Sequence, residues 1–500
     1  MENKEQFSLF DGPSVDLTPA YKLNVGQQEA HDWLVPFCLG TKEDRKILLE
    51  GWAGTGKSFL INRVVESARI IDDGVNFGMT APTHKAVRVL KKSSELKDVL
   101  DFGTIHSFLG LKEKINHITG KVTYEPEYLG GKPRRIDGID ILIVDESSML
   151  GDDLFEHIEN ELRSNRKLRV IYMGDSLQLP PVGKKQKTGV AFAIPFIPER
   201  RTSHKIHHLV LTEPQRQAAD SPIIAYATAI RQQHHKQNID FEFKEEYKHA
   251  LELLPQNMGQ LKDLFSTYFK TQQFKDDPDY AKVVAWRNDR VNYFNSFIRT
   301  IIYEKDLLPK FMLAEQLIMD KPFVVKDKVV IANNEEIEVL DVNETVINIK
   351  YTEIDRGTTV FTKETAFEDQ EIGKKVKIWT PKVYVITVRT PEKKVHQLTV
   401  LHEESEQDYT LIRSTLEGLA KKNKDQFDQK EMWKQFYGVE KHFAWVKYNY
   451  CVTSHKSQGS TYQFVFSMEF DMNANRDIPE RNSLKYVAST RAKQKLFIVK

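Results

Sequence analysis

The stretch Gly51-Trp52-Ala53-Gly54-Thr55-Gly56-Lys57-Ser58 carries the plainest chemistry in the chain. A glycine-rich turn ending in Gly-Lys-Ser lets the backbone N–H groups around Gly51, Ala53, Gly54, Thr55 and Gly56 point at phosphate oxygens. Lys57 can reach the β- and γ-phosphates of a nucleoside triphosphate, and the Ser58 hydroxyl can ligate a magnesium ion. Asp145-Glu146 meets the second requirement: one carboxylate to hold the metal, the other to take a proton from an attacking water. Gln178, in Gly174-Asp175-Ser176-Leu177-Gln178-Leu179-Pro180-Pro181, reads either as a contact to the γ-phosphate or the water, or as part of a capped turn. Two arginines lie far downstream, Arg216 in Pro214-Gln215-Arg216-Gln217 and Arg491 in Ser489-Thr490-Arg491-Ala492. An arginine aimed at a transferring phosphoryl group supplies about 10³–10⁵ in rate.

Three more stretches mix small hydroxyl residues with His and Lys: Ala81-Pro82-Thr83-His84-Lys85, Gly103-Thr104-Ile105-His106-Ser107 and Val452-Thr453-Ser454-His455-Lys456-Ser457-Gln458-Gly459. Such groups suit phosphate and sugar contacts rather than base reading. Their histidines have no metal-ligand spacing. Trp286, in Ala285-Trp286-Arg287-Asn288, reads equally as a base-stacking ring or as packing at a strand end.

These residues need strands to end at them. Apolar runs at Ile47–Leu49, Val75–Thr80, Ile139–Val144 and Leu168–Met173 alternate with helical spacing, which predicts a parallel sheet covered on both faces. Each run stops at one of the polar clusters, and in such sheets the active crevice lies at the carboxyl ends of the strands. Leu111–Asn116, a turn at Thr119-Gly120 and Val122–Tyr128 predict a β-hairpin. Further strand candidates at Lys282–Trp286, Phe464–Phe470 and Leu496–Val499 predict a second α/β unit. Between them, Pro322 to about Thr390 alternates β-branched and polar residues, as a small antiparallel barrel would. Asp408–Phe436 is helical and polar, with little apolar face, and reads as a projecting arm.

The 500 residues are enough for three or four domains. With 72 basic and 71 acidic residues the net charge is +1, so a nucleic-acid surface must be a local groove rather than a whole face. No apolar run reaches the ~20 residues of a membrane span. The two cysteines, Cys38 and Cys451, lie far apart in sequence, which suits a reducing, cytoplasmic setting (the host's, for a viral protein).

The ordered set of motifs resembles the superfamily 1 helicases, in the 5′→3′ branch that includes RecD-like and bacteriophage Dda-type enzymes. Val25-Gly26-Gln27 matches the glutamine motif, Gly51–Ser58 motif I, Ala81–Lys85 Ia, Thr104–Ser107 Ib and Asp145–Ser148 II. Gly174–Pro181 matches III, Arg216 IV, His455–Gly459 V and Val487–Arg491 VI. Only 64 residues separate Ala81 from Asp145, which leaves room for a hairpin and not for the large helical insertion usual in the 3′→5′ branch.

The resemblance implies two RecA-like P-loop NTPase domains with ATP and Mg²⁺ between them and single-stranded DNA across their tops. Gln27 would read adenine, Ser58 and Asp145 would hold the metal, and Glu146 would be the base. Lys57, Gln178, Arg216 and Arg491 would act on the phosphates, with Gly459 near the γ-phosphate. Pro82, Thr83, His84, Thr104, His106, Thr453, His455 and Lys456 would grip the strand. The hairpin would be the pin that splits a duplex, with Tyr124 and Tyr128 as candidates to meet DNA. The inserted SH3-like barrel and arm would contact that pin. The implied layout is a flexible leader at 1–20, a first RecA-like domain at 21–110 and 133–212, and the pin at 111–132. The second RecA-like domain would span 213–320 and 441–500, with the barrel and arm at 321–440. The implied activity is 5′→3′ translocation and unwinding in replication or recombination. Its partners would be single-stranded and fork DNA and a single-strand-binding or other replication protein, with no membrane. A DNA-stimulated ATPase that remodels protein–DNA complexes, an RNA helicase and a nucleotide-dependent binding switch compete with this reading.

Overall fold

The computed structural model describes residues 23–116, 119–127, 133–180, 206–214, 220–325, 328–355, 373–423 and 425–500. The leader 1–20, Tyr128 and Arg216 therefore lie outside the described residues.

Six strands form a first, all-parallel sheet, in the order Leu100–Thr104, Phe77–Ala81, Ile141–Val144, Arg169–Gly174, Lys46–Gly51, Ile206–Leu211. The two-residue period of the strands sorts their side chains onto two cores. Ile47, Leu49, Ile141, Ile143, Ile171 and Met173 pack with the helices Val25–Cys38, Lys57–Ile71 and His84–Ser93. Leu48, Leu142, Val144, Val170 and Tyr172 pack on the other face with the helices Ile105–Leu109 and Asp152–Ser164. Each fully buried Leu, Ile or Phe is worth about 1.5–3 kcal/mol, so the strand ends are rigid mounts for the loops they carry.

A second parallel sheet runs Cys451–Thr453, Ala281–Ala285, Tyr462–Met468, Ala492–Val499, Leu251–Leu254. The helices Pro222–Gln232 and Ile478–Ser489 cover one face, and Met258–Phe269 and Asn288–Tyr303 the other.

Between Asn288–Tyr303 and Cys451–Thr453 the chain builds an antiparallel sheet, in the order Val395–Leu401, Lys382–Arg389, Glu336–Val346, Gln316–Met319, Val446–Tyr448. Two of its strands, Gln316–Met319 and Val446–Tyr448, lie outside the expected 321–440. Gln316–Met319 is buried along its whole length and so lacks the alternation that marks an antiparallel strand. Two ribbons accompany the sheet, Phe323–Val325 with Lys328–Ile331 and Ile349–Ile354 with Lys374–Trp379.

The arm differs from its expected character. Helices Glu406–Lys422 and Gln426–Lys441 lie against the ribbon strand Ile349–Ile354 and bury Tyr409, Ile412, Leu416, Met432, Trp433, Phe436 and Val439 with Ile349, Ile354 and Trp379. Their apolar positions form a real face, thinned in the sequence by the lysines and acids between them. No described helix is long and apolar enough to cross a membrane.

The hairpin pairs Leu111–Ile115 with Val122–Pro126 and is mostly exposed, with ion pairs Lys114–Glu125 and Lys112–Glu127 across it. Such a two-stranded ribbon is marginal alone. Its tip is held from outside: Gly120 lies against Trp433, and Tyr437 Oη donates to the Gly120 carbonyl at 2.5 Å.

Candidate nucleotide and nucleic-acid sites

Strand Lys46–Gly51 ends in the phosphate loop, and Gly54 and Gly56 take φ values of +77° and +74°, which only glycine adopts freely. Gly51 is needed for space, because a Cβ there would stand 2.6 Å from Lys57 Cγ. Lys57 opens the following helix, and its Nζ donates to the Gly51 carbonyl at 2.7 Å. Gln27 is buried beside the loop. Its Oε1 accepts from Asn24 N at 3.2 Å, and its Nε2 donates to the Thr55 carbonyl at 2.9 Å. Each amide atom keeps one further hydrogen-bonding position, enough to pair with a base edge.

Asp145 and Glu146 follow the buried strand Ile141–Val144, two strands away from the loop. Glu146 takes φ +49°, a left-handed conformation that costs a non-glycine residue about 1–3 kcal/mol and gathers at functional sites. Burial, and then repulsion from Glu146, push the Asp145 carboxyl up to about 7 against the pull of Lys57. Among the described residues nothing hydrogen-bonds Glu146 Oε2 or Gln178 Oε1, although both atoms are buried. A part-buried, under-neutralised carboxylate at Asp145, with Ser58 at the end of the loop two strands away, is a donor set that fits a hard dication. Magnesium is commonly held by one or two protein oxygens, with phosphates and water completing its shell.

The second lobe closes directly on this site. Gln458 Nε2 donates to the Leu179 carbonyl at 2.9 Å, beside Gln178. Gly459, at φ +69°, faces the helix His84–Ser93 so closely that a Cβ would lie 3.1 Å from Ala86 Cβ. Arg491 is buried, and its guanidinium donates to the carbonyls of Val487 and Ser460, both at 3.1 Å, and to Thr490 Oγ1 at 3.0 Å. All three acceptors are neutral, and no carboxylate among the described residues pairs with it.

Thr83, Thr104 and Thr453 do the same thing at three strand ends. Each caps a following helix, its Oγ1 accepting from Ala86 N, Ser107 N and Lys456 N at 3.1–3.2 Å. Each hydroxyl proton remains to donate outward, beside Pro82 and the histidines His84, His106 and His455. Burial depresses the pKa of all three imidazoles; His84 and His157 add to this at His106, and Arg88 at His84. They would meet a phosphodiester as neutral donors. Tyr124 of the hairpin is half-exposed, with its ring edge-on to His106 at 4.8 Å, so the hairpin adjoins the stretch Gly103–Ser107. Lys456 is tied down, donating to Asp320 Oδ1 at 2.6 Å. Trp286 packs against the second core, its backbone N–H donating to Asp471 Oδ2 at 2.8 Å.

Two residues of the second lobe meet the first without any motif signal. Arg231 and Tyr486 bind Glu50 and Asp175 of the first lobe, and Tyr486 Oη also accepts the Ala53 N–H at 3.0 Å. An arginine closing an apolar helix and a tyrosine in a mixed one look ordinary in sequence; only their meeting across the cleft marks them.

Two family models match the chain: an AAA domain over residues 22–251 and a UvrD-like helicase C-terminal domain over residues 448–499. An uncharacterised protein of Acanthamoeba polyphaga mimivirus is 24% identical, with 95% of this chain and 99% of that protein aligned. The ATP-dependent DNA helicase dda of Enterobacteria phage T4 is 27% identical over 91% of this chain and 94% of its own length. A solved Pif1 helicase from Bacteroides, in complex with ADP-AlF3 and ssDNA, aligns at 15% identity and a TM-score of 0.46, covering 96% of this chain and 92% of that one. The first model covers the phosphate loop and runs on into helix Pro222–Gln232 of the second lobe, the second covers the segment that ends with Arg491 and its strand, and the chain belongs to the superfamily 1B family of Pif1-, Dda- and RecD-like 5′→3′ DNA helicases.

Proposed function

We propose that the chain is an ATP-driven motor that moves 5′→3′ along single-stranded DNA and separates the duplex at a fork, in replication or recombination. The observation that carries this reading is the docked hairpin: Gly120 at its tip is held by Trp433 and Tyr437 of an insert that hangs from the second lobe. A lobe movement driven at the ATP site would therefore reach the pin through covalent and packed structure. The antiparallel sheet of the insert would be the family's SH3-like barrel, and the layout of domains would follow the family's.

In this reading Gln27 reads adenine and the loop around Gly51–Gly56 cradles the phosphates through N–H groups other than that of Ala53, which Tyr486 engages, with Lys57 on the β- and γ-groups. Ser58 and Asp145 would hold Mg²⁺, which when bound neutralises charge on the phosphate oxygens. Glu146 takes the proton of the attacking water, which Gln178 orients. Arg491 and Arg216 stabilise the transferring phosphoryl group from the second lobe. The threonines and histidines at 83–84, 104–106 and 453–455 grip the DNA backbone, and Tyr124 meets the strand at the pin.

The test is an unwinding assay on duplexes carrying a single 5′ or a single 3′ tail, with ATP. Unwinding of the 5′-tailed substrate alone is expected. Unwinding from a 3′ tail, or none from either with hydrolysis intact, would count against the reading.

A further inference from the structure

Two side chains of the second lobe grip the phosphate loop, and none of the nucleotide roles above uses them. Tyr486, near the C-terminal end of helix Ile478–Ser489, accepts the Ala53 N–H at 3.0 Å and donates to Asp175 Oδ2 at 2.5 Å. Arg231, in the last turn of helix Pro222–Gln232, bonds Asp175 Oδ1 and donates to Glu50 Oε1 at 3.1 Å. Its guanidinium also lies 4.8 Å from the Trp52 ring centroid. Glu50 is the next-to-last residue of the strand that feeds the loop, and Asp175 follows the neighbouring strand Arg169–Gly174. The two side chains thus hold both strand ends and the loop between them.

Plain packing does not explain this arrangement. The Ala53 N–H belongs to a loop whose N–H groups are anion donors, yet a tyrosine oxygen from another lobe engages it. Two carboxylates, Glu50 and Asp175, sit beside a site for a triphosphate, where uncompensated negative charge would oppose binding; Arg231 bridges both, and His208 also bonds Glu50 at 3.0 Å. Arg491 lies five residues beyond Tyr486, and its Nε is bonded to the carbonyl of Val487, Tyr486's neighbour. Fixing Tyr486 on the loop therefore fixes where Arg491 starts from.

We propose that Tyr486 and Arg231 are positioning residues for ATP turnover: they register the helix that leads to Arg491 against the phosphate loop, so that the arginine meets the γ-phosphate. The proposal rests on the reading of the chain as an ATP-driven motor and deepens it. Binding of ATP is left to Lys57 and the loop, so the latch acts on kcat rather than on KM.

Tyr486→Phe is the sharpest variant, because it keeps the buried ring and removes both hydrogen bonds. Its DNA-stimulated kcat is expected to fall about tenfold, with the KM for ATP and single-stranded DNA binding within about twofold of wild type. Arg231→Lys keeps the charge but loses the two-carboxylate fork, and is expected to lower kcat with the same sparing of KM. In a double-mutant cycle, Arg491→Lys should cost much less in the Tyr486→Phe background than in wild type, since an unregistered arginine has less to lose. Full kcat in Tyr486→Phe, additive costs in the cycle, or equal losses in kcat and DNA binding would overturn the latch. A wild-type chain without DNA-stimulated hydrolysis would instead remove the motor reading beneath it.

Discussion

Gly120 and Trp433 are far apart in the chain, yet the glycine sits so close to the indole that a Cβ on it would come within 2.5 Å of Trp433 Cη2. Gly120 also takes φ +67°, which a side chain would strain. Gly120→Ala therefore meets a clash and about 1–2 kcal/mol of backbone cost at the point where the exposed ribbon meets the insert. Unwinding should fall by about tenfold while DNA-stimulated ATP hydrolysis stays within about twofold. A fork-unwinding assay beside an ATPase assay checks this; equal losses in both would mean that the pin is not a separate part of the machine.

Glu146 combines a left-handed backbone with a buried carboxylate oxygen that no described residue satisfies. Glu146→Gln keeps the shape and removes the base. Turnover should drop about 10²–10⁴-fold while ATP and DNA binding persist. Single-turnover hydrolysis with fluorescent-nucleotide binding reads both; near-normal turnover would assign the proton to another group.

The parts that are legible in the sequence share a local cause. Ile47–Leu49 and Ile141–Val144 are apolar and end abruptly in glycine or acid, so strand and site are announced together. Thr83, Thr104 and Thr453 are visible as hydroxyls beside histidines, although their capping role shows only in the helices they start. The edge strand Leu100–Thr104 escapes a sequence reading, because Asp101 and Gly103 interrupt its apolar character. Ile206–Leu211 hides behind His207 and His208. Arg231, Tyr486 and Asp320 give no signal at all, since their meaning lies in partners brought by tertiary packing from distant segments.

His84, His106 and His455 make a prediction about pH. Their imidazoles, beside Glu335 and Arg88 for His84, His157 and Tyr124 for His106, and Glu480 for His455, have pKa values below the usual 6.5. They are neutral at pH 7.5 and begin to gain protons only as the pH falls past those depressed values. Folding without DNA loses stability earlier in that fall, from the ordinary 6.5 of the unfolded chain down to the depressed values, because the unfolded chain takes up its protons first. If they face phosphates, DNA binding should tighten, and its salt slope should steepen by up to about 0.7 per protonated histidine, only once the pH is lowered past those depressed values. His84→Gln with His106→Gln should remove most of that change. Binding titrations at several salt concentrations and two pH values decide it; an unchanged slope would place these histidines off the strand.

Lys456 is expected from its motif to hold DNA, and the structure pairs it with Asp320, which also pairs with Lys447 at 3.0 Å. Burial alone would raise the Asp320 carboxyl, but the hydrogen bonds from Lys456 and Lys447 hold it below its usual value. Lys85 of the first lobe is likewise tied to the insert, donating to Glu336 Oε1 at 2.8 Å, where Lys282 also approaches. Both lobes thus lean on the insert through a lysine next to the DNA motifs. Asp320→Asn should release Lys456 and Lys447 to phosphates and tighten single-strand binding by about 1 kcal/mol or less, as expected for a half-exposed pair. It should also lower the base pairs opened per ATP, since the second lobe loses a strut to the insert that holds the pin. Lys456→Ala should lower both binding and unwinding. Equilibrium binding and coupled unwinding–ATPase measurements on the two variants separate the roles: if Asp320→Asn weakens binding as Lys456→Ala does, the lysine acts on the insert alone and never on the strand.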